Sequence, residues 1–215
     1  LRPNYAKVVA DLCKEQGGMP FLTDCNTLYP GSRKNALEHL SCAQLNGFWP
    51  MTTGCQVIIG DGLRGTDEVE VPVPNGEYCK TAKIGRAIMD ADVFISLTHF
   101  KGHESTGFGG ALKNIGMGCG SRAGKMEQHA AGKPAVQEGL CRGCHRCAKE
   151  CGSDAITYDA NNQAVIDQTK CKGCGRCIGA CNFDAIYAQC DNANEMLDRK
   201  MAEYAAAVCY GRPTF

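Results

Sequence analysis

The chain lacks any apolar run that approaches the length of a membrane span, and no stretch has the basic-then-apolar pattern of a signal segment. Charge of either sign is not in surplus. Against 23 Lys and Arg stand 23 Asp and Glu, a formal net charge of +0. That balance leaves no electrostatic footprint for nucleic acid, so neither a membrane nor a nucleic-acid partner is expected. What the 215 residues hold in excess is cysteine, 16 in all. In a secreted domain such a density would imply disulfides. The spacing of these cysteines argues instead for a reducing, cytoplasmic setting with little oxygen.

Eight of them form two near-copies of one pattern, Cys141-x2-Cys144-x2-Cys147-x3-Cys151 and Cys171-x2-Cys174-x2-Cys177-x3-Cys181. This is the spacing with which a bacterial-type ferredoxin module holds two [4Fe-4S] clusters. Three closely spaced thiolates wrap one corner of a cube, and the fourth points to the second cube. The expected ligands are therefore Cys141, Cys144, Cys147 and Cys181 for one cluster, and Cys171, Cys174, Cys177 and Cys151 for the other. The likeness of the runs continues through Asp154-Ala155-Ile156 and Asp184-Ala185-Ile186. Zinc is the competing reading, because paired CxxC motifs also build four-cysteine sites. Zinc has no use for a third cysteine at the same short interval. The proline that usually follows the fourth cysteine is missing, with Gly152 and Asn182 in its place; this loosens the first helical turn and removes no ligand.

Basic residues are interleaved with these cysteines: Arg142, His145, Arg146, Lys149, Lys172 and Arg176, against Glu150 alone. Positive charge beside a cluster stabilises its reduced state, so a comparatively high potential and a docking face for an acidic electron donor are expected. The alternative is that these side chains are solvated or paired with Asp154, Asp159 or Asp184.

Residues 1–134 alternate helical and strand signals, which predicts an α/β domain with a mixed or mostly parallel sheet and flanking helices. Helices are expected over Tyr5–Glu15, from Ser32 to about Leu45, and over Thr81–Asp90; strands over Phe21–Cys25, Gln56–Ile59, Glu68–Val73 and Val93–Thr98. Residues 135–190 would form a small α+β ferredoxin-like module. Residues 191–215 carry a helix from about Asn192 to Cys209, whose apolar stripe (Leu197, Met201, Tyr204, Val208) would pack back on the α/β domain. Because the chain opens on Leu1 and stops just past Gly211-Arg212-Pro213, we expect it to be a piece of a longer protein with an incomplete first domain.

A glycine-rich stretch follows the most apolar predicted strand, and α/β folds place ligands at such strand ends. In it Lys101, His103, Lys113 and Lys125 bring positive charge to exposed backbone amides, a setting suited to a phosphate or carboxylate. A flexible loop covering the neighbouring module is the equal alternative. Neither the dinucleotide fingerprint nor a Walker A loop is present. His103 is a candidate general base. Cys119 reads as an inert buried thiol, as do Cys13, Cys25, Cys42, Cys55, Cys79, Cys190 and Cys209.

The segment Lys101-x-His103, then Gly109-Gly110-Ala-Leu-Lys113-Asn114-Ile-Gly116, resembles the core signature of the DUF362 family, many members of which carry a ferredoxin module after it. The resemblance implies an iron–sulfur protein with an α/β domain and names no substrate. It marks Lys101, His103, Lys113 and Asn114 as functional positions of unassigned role. The candidate catalytic residues are then Lys101, His103 and Lys113, with Gly109, Gly110 and Asn114 as a ligand-binding loop. Three functions stay open: a redox enzyme component passing electrons to a ligand there, an electron carrier whose α/β domain docks a partner protein, and a scaffold stapled by its clusters.

Overall fold

A computed structural model describes residues 1–29, 31–103, 106–129, 133–188 and 194–215. Helix α1 (Pro3–Glu15) begins on a proline whose fixed φ suits a first turn, and it stops where Gly17 turns left-handed at φ 83°. Strand β1 (Phe21–Asp24) follows and pairs in parallel with β2 (Gln56–Ile59), from Phe21 opposite Gln56 to Asp24 opposite Ile59. Between them lie α2 (Ala36–Leu45) and the single turn α3 (Pro50–Thr53). The expected start of α2 at Ser32 is early: Asn35 is the cap, its side chain accepting the Glu38 N–H at 3.1 Å.

Strand β3 (Glu68–Pro72) runs antiparallel to β4 (Thr81–Gly85), and the short helix α4 (Arg86–Met89) follows. The helix expected over Thr81–Asp90 is thus mostly strand. Ala82 and Ile84 are buried on one face of β4, a period of two. Ile84 and Ile88 stand four apart and imitate helical spacing. The expected strand Val93–Thr98 does not form either. Phe94 makes one isolated bridge to Thr214, and the Ser96 N–H donates to the Phe215 carbonyl at 2.7 Å. Periodicity cannot assign so short an apolar run.

Next come the hairpin β5 (Lys101–His103) and β6 (Gly107–Gly109), then α5 (Ala111–Cys119) and α6 (Arg122–Gln128). The cysteine-rich part holds β7 (Pro134–Val136), α7 (Arg146–Lys149), β8 (Ile156–Tyr158), β9 (Ala164–Ile166), α8 (Arg176–Ala180) and β10 (Ile186–Ala188), with β8 on β9 and β10 on β7. Helix α9 (Asn194–Cys209) closes the order; the residues just before it, 189–193, lie outside the description. The architecture is mixed α/β, yet among the described residues every sheet is two-stranded and only β1–β2 is parallel. The largely parallel sheet expected from the alternation is therefore absent from them. Strands of three to five residues joined by glycine- and cysteine-rich loops leave little length for stacked parallel crossovers.

Two cores result. In the first, Ile84, Ile88, Ile115, Tyr204 and Val208 gather where α9 lies against α5. Full burial of an aliphatic chain such as Ile84 contributes about 1.5–3 kcal/mol. Gly116 permits the close approach: a side chain there would run into the Met201 backbone, whose Cα would stand 3.1 Å from a Cβ. In the second core Leu28 and Met126 reach across to Cys147, Ile156, Cys177, Ile178 and Ile186. The cysteine-rich part is thus packed onto the N-terminal part.

Candidate metal and ligand sites

The two cysteine runs share one backbone course. Gly143 (φ 60°) and Gly173 (φ 69°) turn each loop, and His145 (φ 61°) and Gly175 (φ 68°) stand left-handed just before α7 and α8. Two cavities, each open to solvent, result. Cys141, Cys144, Cys147 and Cys181 border the first, with Tyr158, Ala164, Phe183 and Ile186 in its wall. Cys151, Cys171, Cys174 and Cys177 border the second, beside Pro134, Ala155, Ile156 and Ile166. Among the described residues no group of three or more His, Cys, Asp or Glu side chains converges to hold a single metal ion.

Hydrogen bonds converge on the sulfurs. The Ala164 N–H donates to Cys141 Sγ at 3.3 Å, and the Tyr158 hydroxyl lies 3.3 Å from Cys147 Sγ. At the second cavity the Ala155 N–H donates to Cys151 Sγ at 3.3 Å and the Gly173 N–H to Cys171 Sγ at 3.4 Å. Burial works upward on Cys151, but the donors from Ala155 and Ser153 outweigh it and hold the thiol below its ordinary range. Burial and then the neighbouring Cys174, Cys171 and Cys147 push Cys177 up to about 12.

The basic side chains between the cysteines (Arg142, Arg146, Lys149, Lys172, Arg176) are exposed, and no ion pair forms to them among the described residues. Asp184 is taken by Lys34, and Asp159 accepts the N–H groups of Asn161 and Gln163. His145 stacks on Tyr158 with ring centroids 3.8 Å apart, and its Nε2 lies 2.9 Å from Asn162 Oδ1.

The glycine-rich stretch does not hang from a sheet edge, since the strand expected over Val93–Thr98 directly before it does not form. It is its own hairpin, with Lys101 opposite Gly109. Gly110 caps α5, which carries Lys113 and the exposed Asn114 in its first turn. Lys113 is held below the usual lysine range by burial and then by Lys101, with Asp24 acting the other way. The two lysines and Asp24 therefore share one field. His103 Nδ1 accepts the Thr106 N–H at 3.3 Å.

A family model described as "Domain of unknown function (DUF362)" matches residues 1–215. The chain belongs to the DUF362 family. No curated protein and no solved structure matches it.

This DUF362 chain also gathers residues that spacing did not single out. Asp24, at the end of β1, lies 3.8 Å from His39 Nε2, and burial lowers the His39 pKa. His129 meets the Tyr29 hydroxyl at 3.0 Å and is lowered by burial, then by Lys113 and Lys125. Lys125, noted above as part of the loop's charge, is instead buried and donates to the Gly118 and Gly120 carbonyls at 3.2 and 2.6 Å. Asp24 alone left a signal, as a carboxylate at a strand's carboxyl end. Of the thiols outside the runs, Cys25, Cys55, Cys79 and Cys119 are buried, and burial lifts Cys119 to about 12. Cys13, Cys42 and Cys209 are only half-buried, because their helices α1, α2 and α9 turn those positions partly to solvent; Cys190 lies outside the described residues.

Proposed function

We propose that the chain is an iron–sulfur redox protein, carrying two [4Fe-4S] clusters on a ferredoxin-like module and relaying electrons to or from a ligand or partner at its α/β part. The observation that carries this reading is the grouping of the thiols: four border each cavity, three from one run and the last from the other. Sulfurs that ring a cavity without meeting at one point suit a four-cornered cube. A zinc ion requires four sulfurs about 2.3 Å from a single centre. Cys141, Cys144, Cys147 and Cys181 would hold one cluster; Cys151, Cys171, Cys174 and Cys177 the other. Bound there, each cube supplies one-electron chemistry, and it persists in a reducing cytoplasm.

The chain's own residues do the rest. N–H groups of Ala164, Ala155 and Gly173 favour the thiolate form of the ligands. Ile186 and Ile156 give each cavity an apolar wall behind the buried Cys147, Cys181 and Cys177, while Cys144 stays exposed. Exposed arginines and lysines between the cysteines offer a face to an acidic redox protein. At the hairpin, Lys101 and Lys113 attract an anionic group, with Gly109, Gly110 and Asn114 beside it. Burial together with Lys101 makes the Lys113 proton easier to lose, which suits a donor to a bound substrate. His103 stands on the same hairpin.

Two measurements on anaerobically purified protein test this. Dithionite should bleach a broad visible absorption that returns on reoxidation, and mass spectrometry should find an anionic small molecule retained by the parent and lost in Lys113→Ala. Absorption that cannot be reduced reversibly would overturn electron relay and leave the clusters as staples. Absence of any retained anion would reduce the α/β part to a docking surface.

A further inference from the structure

The two cysteine runs differ most where the N-terminal part meets them. Gly175 and Gly179 stand in the second run where the first has His145 and Lys149. A methyl group on Gly175 would lie 2.8 Å from Arg122 Cγ and 3.0 Å from its Cδ, and one on Gly179 would lie 2.6 Å from Nη1. The missing side chains open a notch, and Arg122 of α6 fills it. This arginine is 0% exposed. Its Nη2 donates to the Lys34 carbonyl, while Nε and Nη1 have no hydrogen-bond partner among the described residues. Buried Asp61 faces the guanidinium from the N-terminal side, but its Oδ2 is also unpartnered and no ion pair closes between them. A buried, unpaired cation is costly and calls for negative charge nearby. Gly175 both meets Arg122 and lines the second cavity beside Cys174 and Cys177; burial works downward on the guanidinium pKa, and Asp61 first, then Cys177 and Cys174 when ionised, act the other way.

We propose that Arg122 is the positioning residue of the second cavity, a fixed positive charge that raises the reduction potential of a cluster held by Cys151, Cys171, Cys174 and Cys177 above that of the other site. A cluster with four thiolates is anionic, and each added electron deepens that charge. A guanidinium in a dry notch favours the added electron far more than one in water. Of the cations at the first cavity, the exposed Arg142 and Arg146 are screened by solvent and salt, and the buried Lys34, which reaches the Cys181 carbonyl, is neutralised by its ion pair with Asp184. The second site would then be where an electron rests, on the side that faces the α/β part. This rests on the cluster reading, and the experiment separates the two.

The experiment is a dithionite titration of the anaerobic full chain, followed by electron paramagnetic resonance. Cys144→Ser and Cys174→Ser, each disturbing one site, assign the signals. In the parent protein the second site should have the higher potential. Raising KCl to 1 M, where the screening length is about 3 Å, should move the first site more than the second. Arg122→Gln should weaken reduction of the second site roughly tenfold or more, about 59 mV for one electron, and leave the first unchanged. Arg122→Lys, which keeps the charge, should recover part of that loss. The proposal is overturned if the second site has the lower potential, if both sites shift together, or if Arg122→Lys falls as far as Arg122→Gln. Should Arg122→Gln fail to fold, the order of the parent potentials and their salt response decide alone. Protein without iron sinks the cluster reading and this proposal together; iron with the wrong order sinks only this one.

Discussion

Between the cysteines of the first run stand Arg142, His145, Arg146 and Lys149, all exposed, and His145 covers its own loop by stacking on Tyr158. Between those of the second, Gly175 and Gly179 give way to Arg122, and Lys34 donates to the Cys181 carbonyl at 2.8 Å while pairing with Asp184. Arg64 reaches the first run only at its rim, through Glu150. One half of the duplicated unit is thus finished by its own side chains and solvent. The other is finished by the N-terminal part. Docking breaks the symmetry of a repeat whose two backbones follow the same course.

Substitution of the cysteines gives the largest expected effect on that comparison. Cys181→Ser should cost iron at the first site together with Cys144→Ser, whereas Cys151→Ser should group with Cys174→Ser, each leaving about half of the iron. Metal analysis of the four variants checks this. If Cys181→Ser grouped with Cys174→Ser, each run would be a site by itself. Next in size is Gly175→His, which copies the first run into the second and pushes on Arg122. Overpacking there should cost about 1–3 kcal/mol, against roughly 1 kcal/mol for the reverse change, His145→Gly, which loses a stack and a hydrogen bond. Denaturant unfolding under argon compares them, and equal costs would remove the asymmetry. The two clamps should differ likewise. Lys34 is 8% exposed, so Lys34→Met should destabilise by about 1.5–3 kcal/mol, while Arg64→Met at the exposed rim should cost about 0–1 kcal/mol. The smallest effect is expected from Arg146→Gln: a slight fall in the first-site potential that 1 M KCl erases. A fall of the same size in high salt would mean that this charge is not screened.

Part of this was visible in the sequence. Helix α1 and strands β1 to β3 were expected within two residues of where they stand, because proline, the Gly17-Gly18 pair and alternating apolar residues mark their ends. The residues after Thr81 were not, since Ile84 and Ile88 suit a helix as well as a strand that turns. The run Val93–Thr98 is held by Pro213 and Phe215, more than a hundred residues away, and no local pattern records such a pairing. The duplicated cysteines are legible by spacing alone. The notch is not. Gly175 and Gly179 read as ordinary breaks in a repeat until Arg122, remote in sequence, is seen to fill the space they leave. Nor could Asp24, His39 and His129 be joined to Lys113 without the fold that gathers them.

The account rests on what the eight thiols of the two runs hold, and metal analysis of the anaerobically reconstituted full chain asks this most directly. It predicts about eight iron and about eight acid-labile sulfide per chain, two cubes of four. A colourless protein with zinc and no labile sulfide would contradict it.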